Sequence, residues 1–312
     1  MFIVKFRKIF YGISALLFII SIGAMCVWGL NFGIDFKGGT SVGFQYANER
    51  PTIEVVKAEI DSLTFSPSIS GSYTLVPTGD KAYNLSLRTI TEEERVALVA
   101  AISANTANPV TVNSFNSIGP VLGQEAAQKS LISIILVILC IVLFLTFAFR
   151  KVSQPVSSWK YGIISIVALL HDVIIPTGVF VILGHYFAGF EIGTLFVTAI
   201  LVILGFSIHD TIVVFDRVRE NLKNNRSEKH PRPFDEVVGM SISQTFIRSI
   251  NTSLTTMLAI FVVYLIGPAA TKDFSLTLII GIFCGTYSSI FIGSNLLVTV
   301  EKWQDKVKLG SK

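Results

Sequence analysis

Residues 192–217 read IGTLFVTAILVILGFSIHDTIVVFDR. From Ile192 to Phe215 the run is apolar or uncharged except for one carboxylate, Asp210. A helix rises about 1.5 Å per residue, so about 20 such residues cross the hydrocarbon of a bilayer. Five further runs pass the same test: Ile9 to Leu30, Leu131 to Phe149, Tyr161 to Phe187, Ser249 to Gly267 and Phe274 to Val300. The expected fold is a polytopic α-helical membrane protein with six spans. Composition agrees, because 51% of the 312 residues are hydrophobic and 15% are charged, against about 25% charged in an ordinary soluble domain.

The first run follows Lys5, Arg7 and Lys8 in the manner of a signal peptide, but it is long for one and lacks a small-x-small cleavage site. It is expected to stay as the first span. Cys26, Cys140 and Cys284 all fall inside apolar runs, where they serve packing rather than a disulfide or a metal site. The net charge of +4 matters less than where the positive residues stand, and no nucleic-acid partner is expected.

Lys and Arg in short loops near span ends remain in the cytoplasm. Three stand at the N-terminus, and Arg150, Lys151 and Lys160 follow the second span. Seven lie from Arg217 to Arg248 and four from Lys302 to Lys312. The opposite short loops hold only Lys272. Both termini are therefore expected in the cytoplasm, with the polar stretch between the first two spans outside it. The expected division is 1–30 for the N-terminus and first span, 31–130 for the outer domain, 131–300 for the remaining spans and 301–312 for the tail.

Period reads the outer domain. Ser41 to Tyr46 alternates like a half-buried strand, and Ile53, Val56, Ile60 and Leu63 form one helical stripe. Ile69 to Leu75 and Tyr83 to Leu87 alternate on either side of Pro77-Thr78-Gly79-Asp80, a hairpin. Thr91 and Glu94 form a capping box for a second helix to about Ser103, and Val110 with Val112 start a last strand. The βαββαβ order predicts a small α+β ferredoxin-like sandwich.

Ionisable residues inside spans are costly and therefore functional candidates. His171 and Asp172 sit in the third span, one turn before Pro176, where the missing amide removes a helix hydrogen bond. The fourth span carries His209 and Asp210, with Asp216 at its boundary. Ser241 to Ser253 is too polar to face lipid, and Arg248 within it needs an anion or water. Asp210 is its expected partner and Asp216 the second choice; the alternative is that Arg248 snorkels as a boundary anchor. Helix anchoring by these polar residues is likewise the alternative to a proton relay.

Several runs together resemble one family. They are Gly33-Ile34-Asp35-Phe36-Lys37-Gly38-Gly39-Thr40, Leu170-His171-Asp172-Val173, Ser207 to Asn221 with its D-T-I-V-V-x-D-R-x-R-E-N string, and Gln244-Thr245 followed by Arg248. With six spans and a large first outer loop, the chain is similar to the SecD/SecF family of protein-export membrane proteins, on its SecF side. The resemblance implies a SecD partner and assistance to the SecYEG channel at a late, ATP-independent stage. It also implies outer domains that grip and release a preprotein, and inward proton flow across the inner membrane. Positions matching Asp210 and Arg248 are implied in the proton path beside an aspartate of SecD; Asp35, Gly38 and Gly39 belong to the motif after the first span. His209 stands where the family has asparagine, and is read as a hydrogen-bonding replacement.

No cofactor is implied, and the proton is the expected coupling ion. No nucleophile–base pair, zinc spacing or phosphate loop supports an enzyme, and His185 and Glu191 have no motif around them. The rival readings are half of a small-molecule exporter and a scaffold that does not transport.

Overall fold

The computed structural model describes residues 2–103, 108–149, 157–187 and 189–310. In chain order these form α1 (Phe2–Lys5), α2 (Arg7–Trp28), α3 (Ile34–Lys37), β1 (Gly39–Tyr46), α4 (Ile53–Asp61), β2 (Thr74–Thr78), β3 (Ala82–Leu87), α5 (Glu92–Ile102) and β4 (Val110–Ile118). There follow α6 (Pro120–Ala148), α7 (Ser158–Tyr186), α8 (Thr194–Asn225), α9 (Phe234–Ile266), α10 (Ala269–Tyr287), a π-helical segment (Ser288–Gly293) and α11 (Ser294–Gly310). Two compact units result: a helical one of residues 1–29, 132–182 and 196–312, and an α+β one of residues 30–131 and 183–195. Of the basic residues that set the expected orientation, Arg150, Lys151 and Lys312 lie outside the described residues.

Six helical stretches are long and apolar enough to cross a membrane. Most outrun the apolar stretch that predicts them, because polar residues continue the helix past its apolar part; α8 ends at Asn225 rather than Phe215. Half of the most apolar window is buried in α7 and in α8, and 67% in the last span, against 6% in α6 and 11% in α9. The interior of the bundle is therefore built by the third, fourth and sixth spans, while α6 and α9 present apolar side chains such as Leu136, Leu143, Leu258 and Phe261 outward.

Small residues let the central helices meet. A Cβ on Gly285 of α10 would lie 2.9 Å from Ser207 Cβ on α8, so only glycine permits that approach. Gly178 of α7 makes the same allowance for Ser21 of α2.

In the α+β unit the sheet runs β2-β3-β1-β4 with every neighbouring pair antiparallel. The inward residues Val42, Phe44, Tyr46, Tyr83 and Leu85 pack on Val56 and Ile60 of α4 and on Leu98 and Ile102 of α5. One expected strand is shorter. Ile69 is buried, yet Ser72 N bonds back to Ile69 O at 2.9 Å and Gly71 takes φ 71°, a turn that delays β2 to Thr74. Pro77 and Thr78 then belong to the strand, and the reversal falls at Gly79, φ 60°.

The capping box forms as its spacing predicts: Thr91 Oγ1 accepts from Glu94 N at 3.3 Å, and Glu94 Oε2 from Thr91 N at 3.0 Å. Arg88 completes it with a fork onto both Glu94 oxygens, at 2.6 and 2.9 Å. That fork, more than the Thr91 amide, holds the Glu94 carboxyl below the ordinary glutamate range. The first motif closes nearby. Gly38 (φ 77°) and Gly39 (φ 142°) turn the chain into β1, and a Cβ on Gly38 would lie 2.7 Å from Pro120 Cα at the head of α6.

Two outcomes follow. Because the Glu94 pKa is depressed by folding, its contribution to stability is complete above the unfolded value and disappears as pH falls through the folded one. Hydrogen exchange at the first turn of α5 is expected to accelerate selectively on acidification, and Thr91→Ala to loosen the same amides by about 1 kcal/mol. Gly38→Ala adds a left-handed penalty of about 1–2 kcal/mol to a backbone clash, so its melting temperature in detergent falls. Gly12→Ala, with nothing within 4 Å of the new methyl, leaves it level or higher.

Candidate functional site

The buried face of α8 carries Ser207, Asp210, Thr211 and Val214, spaced by three, one and three, so that two consecutive turns present one stripe. That stripe places the one carboxylate of the fourth span inside the bundle: Asp210 is 2% exposed. Its Oδ2 accepts from Ser253 Oγ of α9 at 3.3 Å and from Thr286 Oγ1 of α10 at 3.5 Å. The two hydroxyls lie 2.5 Å from each other, and each also reaches a carbonyl one turn back, Ser249 O and Ile282 O.

Each hydroxyl has one proton to give. Two protons are shared among Asp210, two carbonyls and the hydroxyl–hydroxyl contact, and both bonds to the carboxylate are long. Among the described residues no cation lies within ion-pair distance of Asp210. Charged, Asp210 is under-supplied; protonated, its single O–H can be given to one of the two hydroxyls.

A second carboxylate is held more fully. Asp172 of α7 has no exposure. Its Oδ1 meets His171 Nδ1 at 2.8 Å, and its Oδ2 accepts from Ser288 Oγ at 2.7 Å and, very closely, from Ser207 Oγ. Ser289 Oγ donates to Ser207 O at 3.2 Å and pairs with Thr211 Oγ1 at 2.8 Å. Pro176 stands four residues after Asp172 within unbroken α7, so the Asp172 carbonyl loses its usual amide partner.

The expected pairing of Arg248 with Asp210 or Asp216 does not form. The buried face of α9 is Ser241, Thr245, Ser249 and Ser253, and Arg248 stands about 100° round the helix from Ser249, exposed, with no ion pair among the described residues. Asn251 and Thr255 share its outward side. His209 is exposed by the same rotation, one residue from Asp210. Asp216 is exposed and 3.4 Å from Arg219. The rest of the motif joins α8 to α9: Arg217 Nε reaches Gln244 Oε1 at 2.6 Å, and Asn221 Nδ2 reaches Ser241 Oγ and Gln244 Oε1, both at 2.8 Å.

Asp35 does not join the buried cluster. Its Oδ2 accepts from Thr194 N at 2.8 Å and Thr194 Oγ1 at 2.7 Å, holding the first residue of α8 within the α+β unit. Gly193 beside it has no room for a Cβ, which would fall 2.7 Å from that oxygen. Thr286, Ser288 and Ser289 were not singled out by sequence reasoning; the signal available was a hydroxyl cluster in the middle of the sixth apolar run.

The chain as a whole is similar to known proteins. Residues 98–303 match the family model for the C-terminal part of the protein-export membrane proteins SecD/SecF, and residues 27–48 match the SecD/SecF GG motif. The protein translocase subunit SecF of Thermobaculum terrenum is 39% identical, over 97% of this chain and 94% of its own; that of Anaerolinea thermophila is 33% identical over 98% and 96%. The crystal structure of Thermus thermophilus SecDF, described as a translocon-associated membrane protein, superposes with a TM-score of 0.82 at 30% identity, covering 96% of this chain and 38% of that longer one. A SecDF structure in a super-membrane-facing form gives 0.68 at 29% identity, over 98% and 39%. With a family model across two thirds of its length and relatives matched nearly end to end, the chain is a multi-pass membrane protein that belongs to the SecD/SecF protein-export family.

Proposed function

We propose that the chain is the SecF-type partner of a SecD subunit in the cell inner membrane, where the pair assists SecYEG-mediated export of preproteins at a late step powered by the proton motive force. The observation that carries this reading is Asp210: a carboxylate 2% exposed in a spanning helix, met by two shared hydroxyls. No resident cofactor is needed for such work, and the coupling ion is the proton. One elementary charge moving through 100 mV yields about 2.3 kcal/mol, and a few such steps bias a two-state motion.

The partner is argued from α9. Arg248, Asn251 and Thr255 form an outward polar stripe on a helix whose later turns expose Leu258, Phe261, Val262 and Leu265. A guanidinium in a spanning helix needs an anion, and a carboxylate on SecD supplies one. That relatives carry SecD and SecF in a single SecDF chain supports the pairing. The basic residues of the short loops and tails collect on one side of the spans, which supports cytoplasmic termini and an α+β unit on the side where an emerging preprotein is met. The function proposed is mechanical rather than enzymatic.

Pulse-chase maturation of a secreted protein tests the reading in cells with the normal chain, without it, or with Asp210→Asn at matched membrane level, dye efflux being followed in parallel. Precursor is expected to accumulate without the chain and with the variant while efflux stays unchanged. Normal maturation with altered efflux would transfer the case to a small-molecule exporter, and an Asp210→Asn chain that works like the normal one would remove the carboxylate from the mechanism.

A further inference from the structure

We propose that His171 and Asp172 form a second proton-binding site, distinct from Asp210, in which His171 Nε2 takes up the proton and the Asp172 carboxylate serves as its counter-charge. The inference rests on the proton-coupled reading above and adds a station to it.

The donors around Asp172 fix the charge state of the pair. Ser207 Oγ meets Oδ2 very closely, Ser288 Oγ meets it at 2.7 Å while also reaching Gly285 O at 3.1 Å, and His171 Nδ1 faces Oδ1 at 2.8 Å. In the proposed state the carboxylate is a pure acceptor toward both serine hydroxyls and the ring, so Nδ1 carries the hydrogen of the imidazole. The other ring nitrogen, Nε2, is then a bare lone pair. It is buried and has no partner, and His171 as a whole is 5% exposed.

As it stands the cluster holds one negative charge in an apolar interior, stabilised by hydrogen bonds alone. A proton added at Nε2 turns the imidazole into an imidazolium and the pair into a neutral couple, so uptake reduces the buried net charge from −1 to zero. The Nδ1–H to Oδ1 bond keeps the ring in the orientation that leaves Nε2 available, as a carboxylate does for any histidine that works as a base. The Tyr287 ring lies parallel to the imidazole at 18° and 6.2 Å, a face on which a cation is favoured over a neutral ring.

The groups packed round the pair do not supply that charge otherwise. From α10 come Tyr287 and the buried Cys284; from α8 comes Asp210, three residues after Ser207 on the same face. From α2 the backbone oxygen of Phe10 accepts the Tyr287 hydroxyl at 3.1 Å. Among the described residues no lysine or arginine is ion-paired with either member.

The test is nitrogen NMR of histidine-labelled chain reconstituted with its SecD partner in lipid nanodiscs. The chain has four histidines, and His171→Gln identifies the signal. That signal is expected to pass from neutral ring to imidazolium as the sample is acidified. In Asp172→Asn the transition should move down by more than about one pH unit, because the cation has lost its counter-charge. A ring that stays neutral throughout overturns the proposal, as does a transition that Asp172→Asn leaves in place. Should Asp172→Asn fail to assemble, Ser288→Ala replaces it: with one donor to the carboxylate removed, the transition is expected to rise, and an unmoved transition overturns the proposal. Because the signal is read from the protein and not from export, it is separable from the Asp210→Asn result: normal export in that variant defeats the reading above, and a silent His171 defeats only this one.

Discussion

A carboxylate enclosed by hydrocarbon must be satisfied by polar groups that other helices bring to it, because no solvent is there to do so. Asp210 and Asp172 impose this on the whole bundle. Asp210 draws Ser253 from α9 and Thr286 from α10; Asp172 draws Ser207 from α8 and Ser288 from the π segment. Each of these contacts crosses between helices that are far apart in sequence. The apolar side chains between them set the spacing, but apolar packing in a lipid setting has little preference for one rotation of a helix over another. It is the hydroxyl contacts that fix which face of α8, α9 and α10 turns inward, and the absence of a Cβ at Gly285 is what brings the last span close enough to make them.

Two breaks in helix regularity occur beside these carboxylates. Pro176 deprives the Asp172 carbonyl of its amide, and the π segment shifts the register of the last span by one residue, with Ser294 Oγ donating to Ser289 O five positions back at 2.8 Å. A π bulge places an extra residue on one side of a helix and loosens its ladder there. Here that side offers Ser288 to Asp172 and Ser289 to Ser207 O and Thr211. Regular helix would rotate one of the two serines away. The irregularity is thus the means by which one helix serves both α7 and α8, and it stores its looseness next to the groups whose protonation is proposed to change.

The spans were legible because 20 apolar residues in a row have few other uses, and the βαββαβ order because period two and period 3.6 alternate cleanly from Ser41 to Val112. Helix ends were not, since polar residues such as Arg219 and Lys223 continue α8 without contributing to an apolar count. The delay of β2 was hidden because Ile69 is buried, as a strand residue would be, while sitting in a turn. At the site, the carboxylates announced themselves by cost, and Ser241 to Ser253 by polarity. The partner of Asp210 did not. Opposite charge makes Arg248 the natural choice, but rotation about α9 decides: Ser249 and Ser253 share the inward face, and Arg248 does not. Serine and threonine are uncharged and common in spans, so Thr286 and Ser288 carry little weight in a one-dimensional reading and much in the folded one.

The outward turn of Arg248 has a consequence for where the chemistry is completed. Asp210 is sealed from the surface of this chain, and the one arginine of the polar half of α9 is directed off it. If both take part in one proton path, the path leaves the chain between them, and a group on a neighbouring protein has to bridge it. The other end of the same helix is held differently. Asp35 grips Thr194, the first residue of α8, through backbone and side chain, and from Thr194 to Asp210 the helix runs unbroken for about 24 Å. The two sequence motifs of the chain thus bear on one helix in different ways: the one after the first span holds its first residue through Asp35, and the one in the fourth span supplies its buried carboxylate.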